Sequence, residues 1–369
     1  MYDYTFVGAG FFNSTIAFEF SRMGFKCLIV EKRDHIGGNC YTKELEDIPI
    51  HMYGPHIFHT NDDNIWNFIN QFASFNNYKH KSMSMKDGKL YTLPFCLHTF
   101  YELWGTTNPK DAKKLLDEKT SSFKKDHYRN IEEFALASVG EEVYETLIKN
   151  YTTKQWGKTP SEIPAFVIKR LPFRLTFDTS YYGDKYEGIP IGGYTPIFQQ
   201  MTERCDILLN TDFFNIKEKI EKNTKYKIFY SGMLDKFYDF NYGKLDYRSL
   251  RFEHELKDCD LYQGTSIVTH QDLDKEYTRI VEHKHFDNYK KNLNSTIVTK
   301  EYPLEYTGNN TPYYPINNKQ NNDLYKKYKQ LSSKEGQYVF GGRLADFKYY
   351  DMHQVIGKAL KIQKIQKKT

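Results

Sequence analysis

Cysteine is scarce and scattered. Cys27, Cys40, Cys96, Cys205 and Cys259 form no CxxC pair. That argues against a disulfide scaffold or a zinc ribbon and predicts a reduced, cytoplasmic setting. No run of about 18 apolar residues occurs, so no membrane span is expected. No basic stretch followed by an apolar one opens the chain, so no signal peptide is expected either. Charge of one sign is not in excess: the net charge is +5 over 369 residues. That is too little to predict nucleic-acid binding, but it suits small anionic ligands. Repeats and low-complexity linkers are absent, so the domains are expected to interleave rather than follow one another.

Aromatic residues are abundant, with 31 Tyr and 27 Phe. They supply much of the core and candidate stacking surfaces. The most legible segment is the first. Tyr4 to Val7 is an apolar run, Gly8-Ala9-Gly10 a turn, Phe11 to Met23 a helical stretch closed by Gly24, and Lys26 to Val30 a second buried run ending at Glu31. This is the strand–turn–helix–strand order of a parallel βαβ unit. Gly8 allows the tight turn, and Gly10 lets the backbone approach a pyrophosphate at the helix N-terminus. Glu31 follows Gly8 by 23 residues, the spacing of a ribose-binding carboxylate. Asn13 stands where the third glycine of this fingerprint belongs, which predicts a helix set slightly farther from its strand.

Lys32 and the glycine pair leading through Gly38 to Asn39 offer a second close approach to phosphate. A matching signature lies near the other end, at Gly341-Gly342-Arg343 and at Asp351 in the opening of the last helix. A cofactor held from both ends of the chain points to FAD rather than to a dissociable nicotinamide. Helical spacing covers 64–75, 111–123 and 131–150. Asp87-Gly88 marks a hairpin, and 227–230, 266–269, 279–282 and 296–299 read as strands. The residues from 348 onward read as a terminal helix. The expected fold is α/β. A discontinuous Rossmann-like FAD-binding domain comprises 1–60, 185–240 and 335–369. A mainly helical domain is inserted at 61–160. A mixed or antiparallel sheet domain for substrate comprises 161–184 and 241–334.

Several ordered blocks then become specific. They include Tyr53-Gly54-Pro55-His56-Ile57-Phe58-His59-Thr60, Tyr151-Thr152-Thr153-Lys154-Gln155-Trp156-Gly157, Lys169-Arg170-Leu171-Pro172-Phe173-Arg174, Tyr247-Arg248-Ser249-Leu250, Tyr277-Thr278-Arg279 and Tyr313-Tyr314-Pro315. In these the chain resembles the UDP-galactopyranose mutases, over nearly its whole length. The resemblance implies a reduced-FAD-dependent isomerase that interconverts the pyranose and furanose forms of a nucleoside-diphosphate sugar. It implies a covalent bond between flavin N5 and sugar C1, no net redox change, and an external donor such as NAD(P)H to keep the flavin reduced. It also implies a homodimer, and a place in cell-surface polysaccharide synthesis.

Residue by residue, the resemblance assigns Arg170, in a lid segment, and Arg279 to the diphosphate. Tyr349 and one of Tyr313 and Tyr314 join them, and Tyr181 contacts diphosphate or sugar. Tyr151 stacks on the base, and Trp156 stands beside the sugar. His56 and His59 approach flavin and sugar, and Arg343 and Asp351 belong to the flavin site. HxxH at 56–59 and the cluster Glu282-His283-Lys284-His285 have metal-like spacing but lack the usual companions, so no metal is expected; the second reads as a strand with a solvated face. Glu102 departs from the glutamine of uracil-using members. A carboxylate only accepts, and guanine offers two adjacent donors, so GDP joins UDP and dTDP as a candidate. A true flavin oxidoreductase of the amine-oxidase type is the alternative class.

Overall fold

The opening βαβ unit forms as the residue pattern predicts. Strand β1 (Tyr2–Val7) leads through the glycine turn into helix α1 (Phe11–Arg22), and strand β2 (Cys27–Val30) returns alongside β1. Every residue of β2 is buried, as expected of a parallel strand covered on both faces. The helix ends where Gly24 takes φ +88°, with its N–H bonded to Ser21 O at 3.0 Å. Residues 1–168, 173–286 and 293–366 of this computed structural model are described; Arg170 lies outside them.

The chain divides into two units, each built from separate stretches. The first comprises Met1–Asn77, Asp184–Tyr247 and Pro312–Thr369. Its main sheet is all parallel, in the order Tyr338–Phe340, Thr224–Tyr230, β1, β2, Asp206–Leu208. The chain leaves β1 on one side to β2 and later returns on the other side at Thr224–Tyr230. The crevice beyond Val7 and Tyr230 is therefore a topological switch point, where open α/β sheets take ligands. Phe6, Ile16, Phe20, Ile29 and Phe229 form the core beneath it.

The second unit comprises Tyr78–Gly183 and Arg248–Thr311. Its sheet runs in the order Tyr247–Lys257, Thr296–Glu305, Arg279–Glu282, Ile267–His270, Ser82–Lys86, Lys89–Leu93. All pairs are antiparallel except Ile267–His270 with Ser82–Lys86. Four helices accompany it, Leu97–Trp104, Pro109–Thr120, Ile131–Leu147 and Lys149–Trp156, around Phe100, Ile131, Val143 and Tyr144.

These boundaries differ from those expected. The helical stretch and the mixed sheet share one unit, because the hairpin at 82–93 pairs directly with Ile267–His270. The helix Lys319–Ser332, placed in the sheet domain from sequence, belongs to the first unit. The helix expected over 64–75 is Asp63–Ile69, capped by the Asp62 carboxylate on Asn64 N and Ile65 N. It stops early because Gln71 and Phe72 turn back onto Phe68 O and Ile69 O. The expected 131–150 helix is kinked at Gly140, φ +80°, and restarts after Ile148. The segment His283–Phe286 is a 3₁₀ turn with His283, Lys284 and Phe286 buried, not a solvated strand. The last helix starts at Met352 rather than 348.

Candidate functional site

In the first unit, two glycine turns meet. Gly37 N donates to Ala9 O at 2.9 Å, and a Cβ on Gly38 would stand 3.2 Å from Gly10 Cα. Gly8 has φ +98°, and a Cβ there would meet Ser231 Oγ at 2.4 Å. A Cβ on Gly10 would instead enter open space, with nothing within 4 Å. Gly10 is also the N-cap of α1 and supplies no side-chain cap. The first amides of α1 thus face an open volume with the positive end of a helix dipole behind them, as a pyrophosphate requires.

Glu31 is buried and holds the turn from below. Its Oε2 accepts from Ala9 N at 2.8 Å and its Oε1 from Arg33 N at 3.0 Å. Each oxygen keeps a lone pair for a ribose hydroxyl. Asn13 turns its amide nitrogen to the backbone. It is fully buried, and its Nδ2 donates to Val7 O at 2.7 Å and Gly8 O at 2.9 Å. The amide thus ties α1 to the end of β1 where the missing glycine would have let them touch. Gly341 and Gly342 pack on Phe12 of α1; a Cβ on Gly341 would lie 2.1 Å from Phe12 Cζ. The end of the chain therefore does reach the first helix turn.

The same unit carries arginines and phenols in contact with one another. Arg33 Nη2 donates to Asn39 Oδ1 at 2.9 Å, and its Cζ lies 4.4 Å from the Tyr53 ring centroid. Its Nη1 is buried with no hydrogen-bond partner among the described residues. A buried guanidinium N–H without an acceptor is costly, so this atom fits a polar or anionic cofactor group. Arg343 Nη2 donates to Tyr350 O at 2.7 Å, with Cζ 4.8 Å from the Tyr349 ring. Tyr53, Tyr313, Tyr314 and Tyr349 form a line of rings, with successive centroids 6.5, 6.4 and 5.2 Å apart. Burial pushes the Cys40 thiol up to about 12, against the opposing charge of Arg343. Lys32 is exposed, and its side chain makes no hydrogen bond or ion pair among the described residues. Asp351 acts through its backbone, accepting from Gln354 N and Val355 N at the start of the last helix.

The two histidines take different places. His56 Nδ1 is 2.8 Å from Gly54 O, and His56 N donates to His51 Nδ1 at 3.0 Å. Burial and the neighbouring His56 push His51 down to about 3, so it stays neutral and accepts. His59 Nδ1 lies 2.5 Å from Asp184 Oδ2, and its ring is 5.0 Å from that of His353. Asn61 also donates to Asp184. Asp184 and His353 carried no motif in the sequence; only the fold brings them to His59.

The second unit holds the remaining assigned residues. Arg279 pairs with Glu301 on the adjacent strand: Nε and Nη2 reach Oε2 at 2.9 and 2.7 Å. Glu301 is 1% exposed, so its charge is held in place by that arginine. Tyr151 and Trp156 share the helix Lys149–Trp156. Tyr151 N donates to Gln271 Oε1 at 3.0 Å. The helix ends at Gly157, φ +66°, where a Cβ would sit 2.8 Å from Arg248 Nη1. Arg248 is buried and donates from Nε to Gln155 O at 3.1 Å. Tyr181 packs its ring 5.0 Å from His80.

Glu102 has other work than the base contact expected of it. Thr92 N donates to its Oε2 and Thr92 Oγ1 to its Oε1, each at 2.6 Å. The carboxylate ties the helix Leu97–Trp104 to the strand Lys89–Leu93. Glu102→Gln should therefore leave the relative affinities for UDP, dTDP and GDP unchanged, within about twofold, while lowering the melting temperature by a few degrees. A selective loss of GDP binding on titration would restore the base-reading role.

Comparison with known proteins decides the family. The profile described as UDP-galactopyranose mutase matches residues 146–349, and one described as an NAD(P)-binding Rossmann-like domain matches 7–72. The dTDP-fucopyranose mutase of Escherichia coli is 38% identical over 361 residues, covering 96% of this chain and 95% of its own. The UDP-galactopyranose mutase of Mycoplasma genitalium is 37% identical over 392 residues, covering 99% and 94%. The chain belongs to the UDP-galactopyranose mutase family. The mutase is thus an isomerase acting on a nucleotide sugar. Its fold matches that of the crystal structure of reduced UDP-galactopyranose mutase, with TM-score 0.76, 14% identity and coverage of 98% and 93%. Among the described residues of the mutase, no helix is long and apolar enough to cross a membrane, and no group of three or more His, Cys, Asp or Glu is placed to hold a metal.

Proposed function

We propose that the mutase binds reduced FAD and interconverts the pyranose and furanose forms of a UDP- or dTDP-linked sugar, with no net redox change. The observation that carries this reading is the pair of touching glycine turns at the uncapped start of α1, beside the unpartnered Arg33 Nη1. These residues fit a dinucleotide: the α1 amides for its pyrophosphate, Glu31 for a ribose, and Arg33, Asn39 and Arg343 for its polar edges. When bound, reduced FAD supplies an electron-rich nucleophile for the anomeric carbon.

The chain's own groups supply the rest. The Arg279 guanidinium is fixed on one side by Glu301 and binds the diphosphate, stabilising the charge that grows as the glycosidic bond breaks. Arg170, outside the described residues, has the same role by family resemblance. Tyr349 and one of Tyr313 and Tyr314 offer phenol donors to phosphate without adding charge. Tyr151 stacks on the base. Trp156 provides an apolar wall that keeps water from the sugar. His59, oriented by Asp184, holds or moves a proton of the opening ring. In this reading the enzyme works as a cytoplasmic homodimer, with a reduced nicotinamide as external electron donor. UDP and dTDP both stand because relatives named for each are almost equally similar.

The test is direct. The purified holoenzyme should show flavin absorbance. It should convert UDP-galactofuranose or dTDP-fucofuranose to the pyranose form only after reduction with dithionite, consuming no further electrons. Equal rates without reductant remove the reduced-flavin reading. Steady consumption of an electron acceptor favours the oxidoreductase alternative.

A further inference from the structure

We propose that Lys154 is a positioning residue for Arg279: its ammonium cages the turn that delivers Arg279 and locks it to the helix bearing Tyr151 and Trp156. The inference rests on the diphosphate role given to Arg279 above.

Lys154 lies on the helix Lys149–Trp156, between Tyr151 and Trp156. Its Nζ donates to three backbone carbonyls of one short turn: Asp272 O at 2.9 Å, Tyr277 O at 3.0 Å and Lys275 O at 3.1 Å. An ammonium has three N–H donors and no acceptor, so the cage uses its full capacity. Tyr277 is two residues before Arg279, where the strand Arg279–Glu282 begins.

The next residue repeats the link. Gln155 Oε1 accepts from Thr278 Oγ1 at 3.2 Å, and Gln155 O accepts from Arg248 Nε at 3.1 Å. Thr278 N in turn donates to Glu301 O at 2.9 Å. Arg279 is therefore fixed twice. Glu301 holds its guanidinium, while Lys154 holds the backbone at Tyr277 and Gln155 the hydroxyl of Thr278 just before it.

The arrangement is a poor choice for stability alone. A half-buried cation that pairs with carbonyl dipoles in place of a carboxylate gives up hydration without a full counter-charge. What it gains is a turn with one shape. Asp272 is drawn off by Lys275, whose Nζ lies 2.9 Å from its Oδ2, and Asp272 Oδ1 accepts from Asp87 N at 2.8 Å. The carbonyls are therefore left to Lys154.

The test is a double-mutant cycle on the flavin-loaded holoenzyme, with UDP and dTDP as probes. Lys154→Met should weaken binding of the better probe about ten- to a hundredfold. In an Arg279→Ala background, the same change should alter affinity by less than about twofold, because the group it positions is gone. Lys154→Gln, which keeps two donors, should fall between; it also serves if Lys154→Met fails to fold. A general structural role would instead lower affinity equally in both backgrounds, and that result overturns the inference. So does unchanged affinity for Lys154→Met in the otherwise wild-type enzyme. If Arg279→Ala itself leaves UDP and dTDP affinity intact, the diphosphate reading of Arg279 is what fails.

Discussion

Arg279→Ala should lower kcat/KM for the nucleotide sugar by about a hundredfold or more, the usual consequence of truncating one member of a buried charge pair that also grips ligand. Two effects combine. In the proposed reading the diphosphate loses a guanidinium that stabilises its developing charge, and Glu301, 1% exposed, loses its cation. The effects separate in the double variant Arg279→Ala, Glu301→Gln. Removing the stranded carboxylate should recover most of the lost melting temperature, since an unpaired buried charge is the larger structural penalty. It should recover little turnover. Steady-state kinetics beside thermal unfolding would decide the matter. Recovery of both together would make Arg279 a structural partner of Glu301 and no more.

Glu31→Ala should yield a protein isolated nearly without flavin, with affinity for added FAD down about a hundredfold or more. Three acceptor functions leave with the carboxylate. Ala9 N and Arg33 N lose bonds of 2.8 and 3.0 Å, and the proposed ribose loses its partner. Leaving the buried Ala9 amide bare costs about 1–3 kcal/mol, and the partly buried Arg33 amide adds less. The damage falls on the glycine turn, because Ala9 lies between the two glycines that shape it. Glu31→Gln keeps a single acceptor oxygen and should fall between. Flavin absorbance per protein and titration with FAD measure this; a yellow Glu31→Ala enzyme of normal affinity would remove Glu31 from the cofactor site.

The first unit's centre was legible because its signals are local. A glycine turn, a helix and a buried strand follow within the first 31 residues, and each needs only its neighbours to form. Asn13 was legible as a departure from the glycine pattern, but not in its effect. Whether an amide there faces a ligand or the backbone depends on Val7 O and Ser231, and Ser231 is 218 residues away.

Glu102 shows the same limit. Its position suggested a base contact, while its chemistry is set by Thr92 on a strand that local spacing does not place beside it. Glu301, Asp184 and His353 gave no signal, since each gains its role from a partner distant in sequence. The domain boundaries slipped for a related reason. The hairpin at 82–93 sits in a helix-rich stretch, yet its pairing partner is the strand at Ile267–His270. Only long-range register could reveal that.

The packing of Gly341 and Gly342 against Phe12 has a consequence for biosynthesis. The strand Tyr338–Phe340 and the two glycines that complete the first helix turn leave the ribosome more than three hundred residues after that turn. The cradle therefore stays unfinished until those residues emerge, and a nascent chain interrupted before them would hold its glycine loop and Glu31 but lack the pieces that pack on Phe12. Maturation of this enzyme has to wait for Gly341 and Gly342.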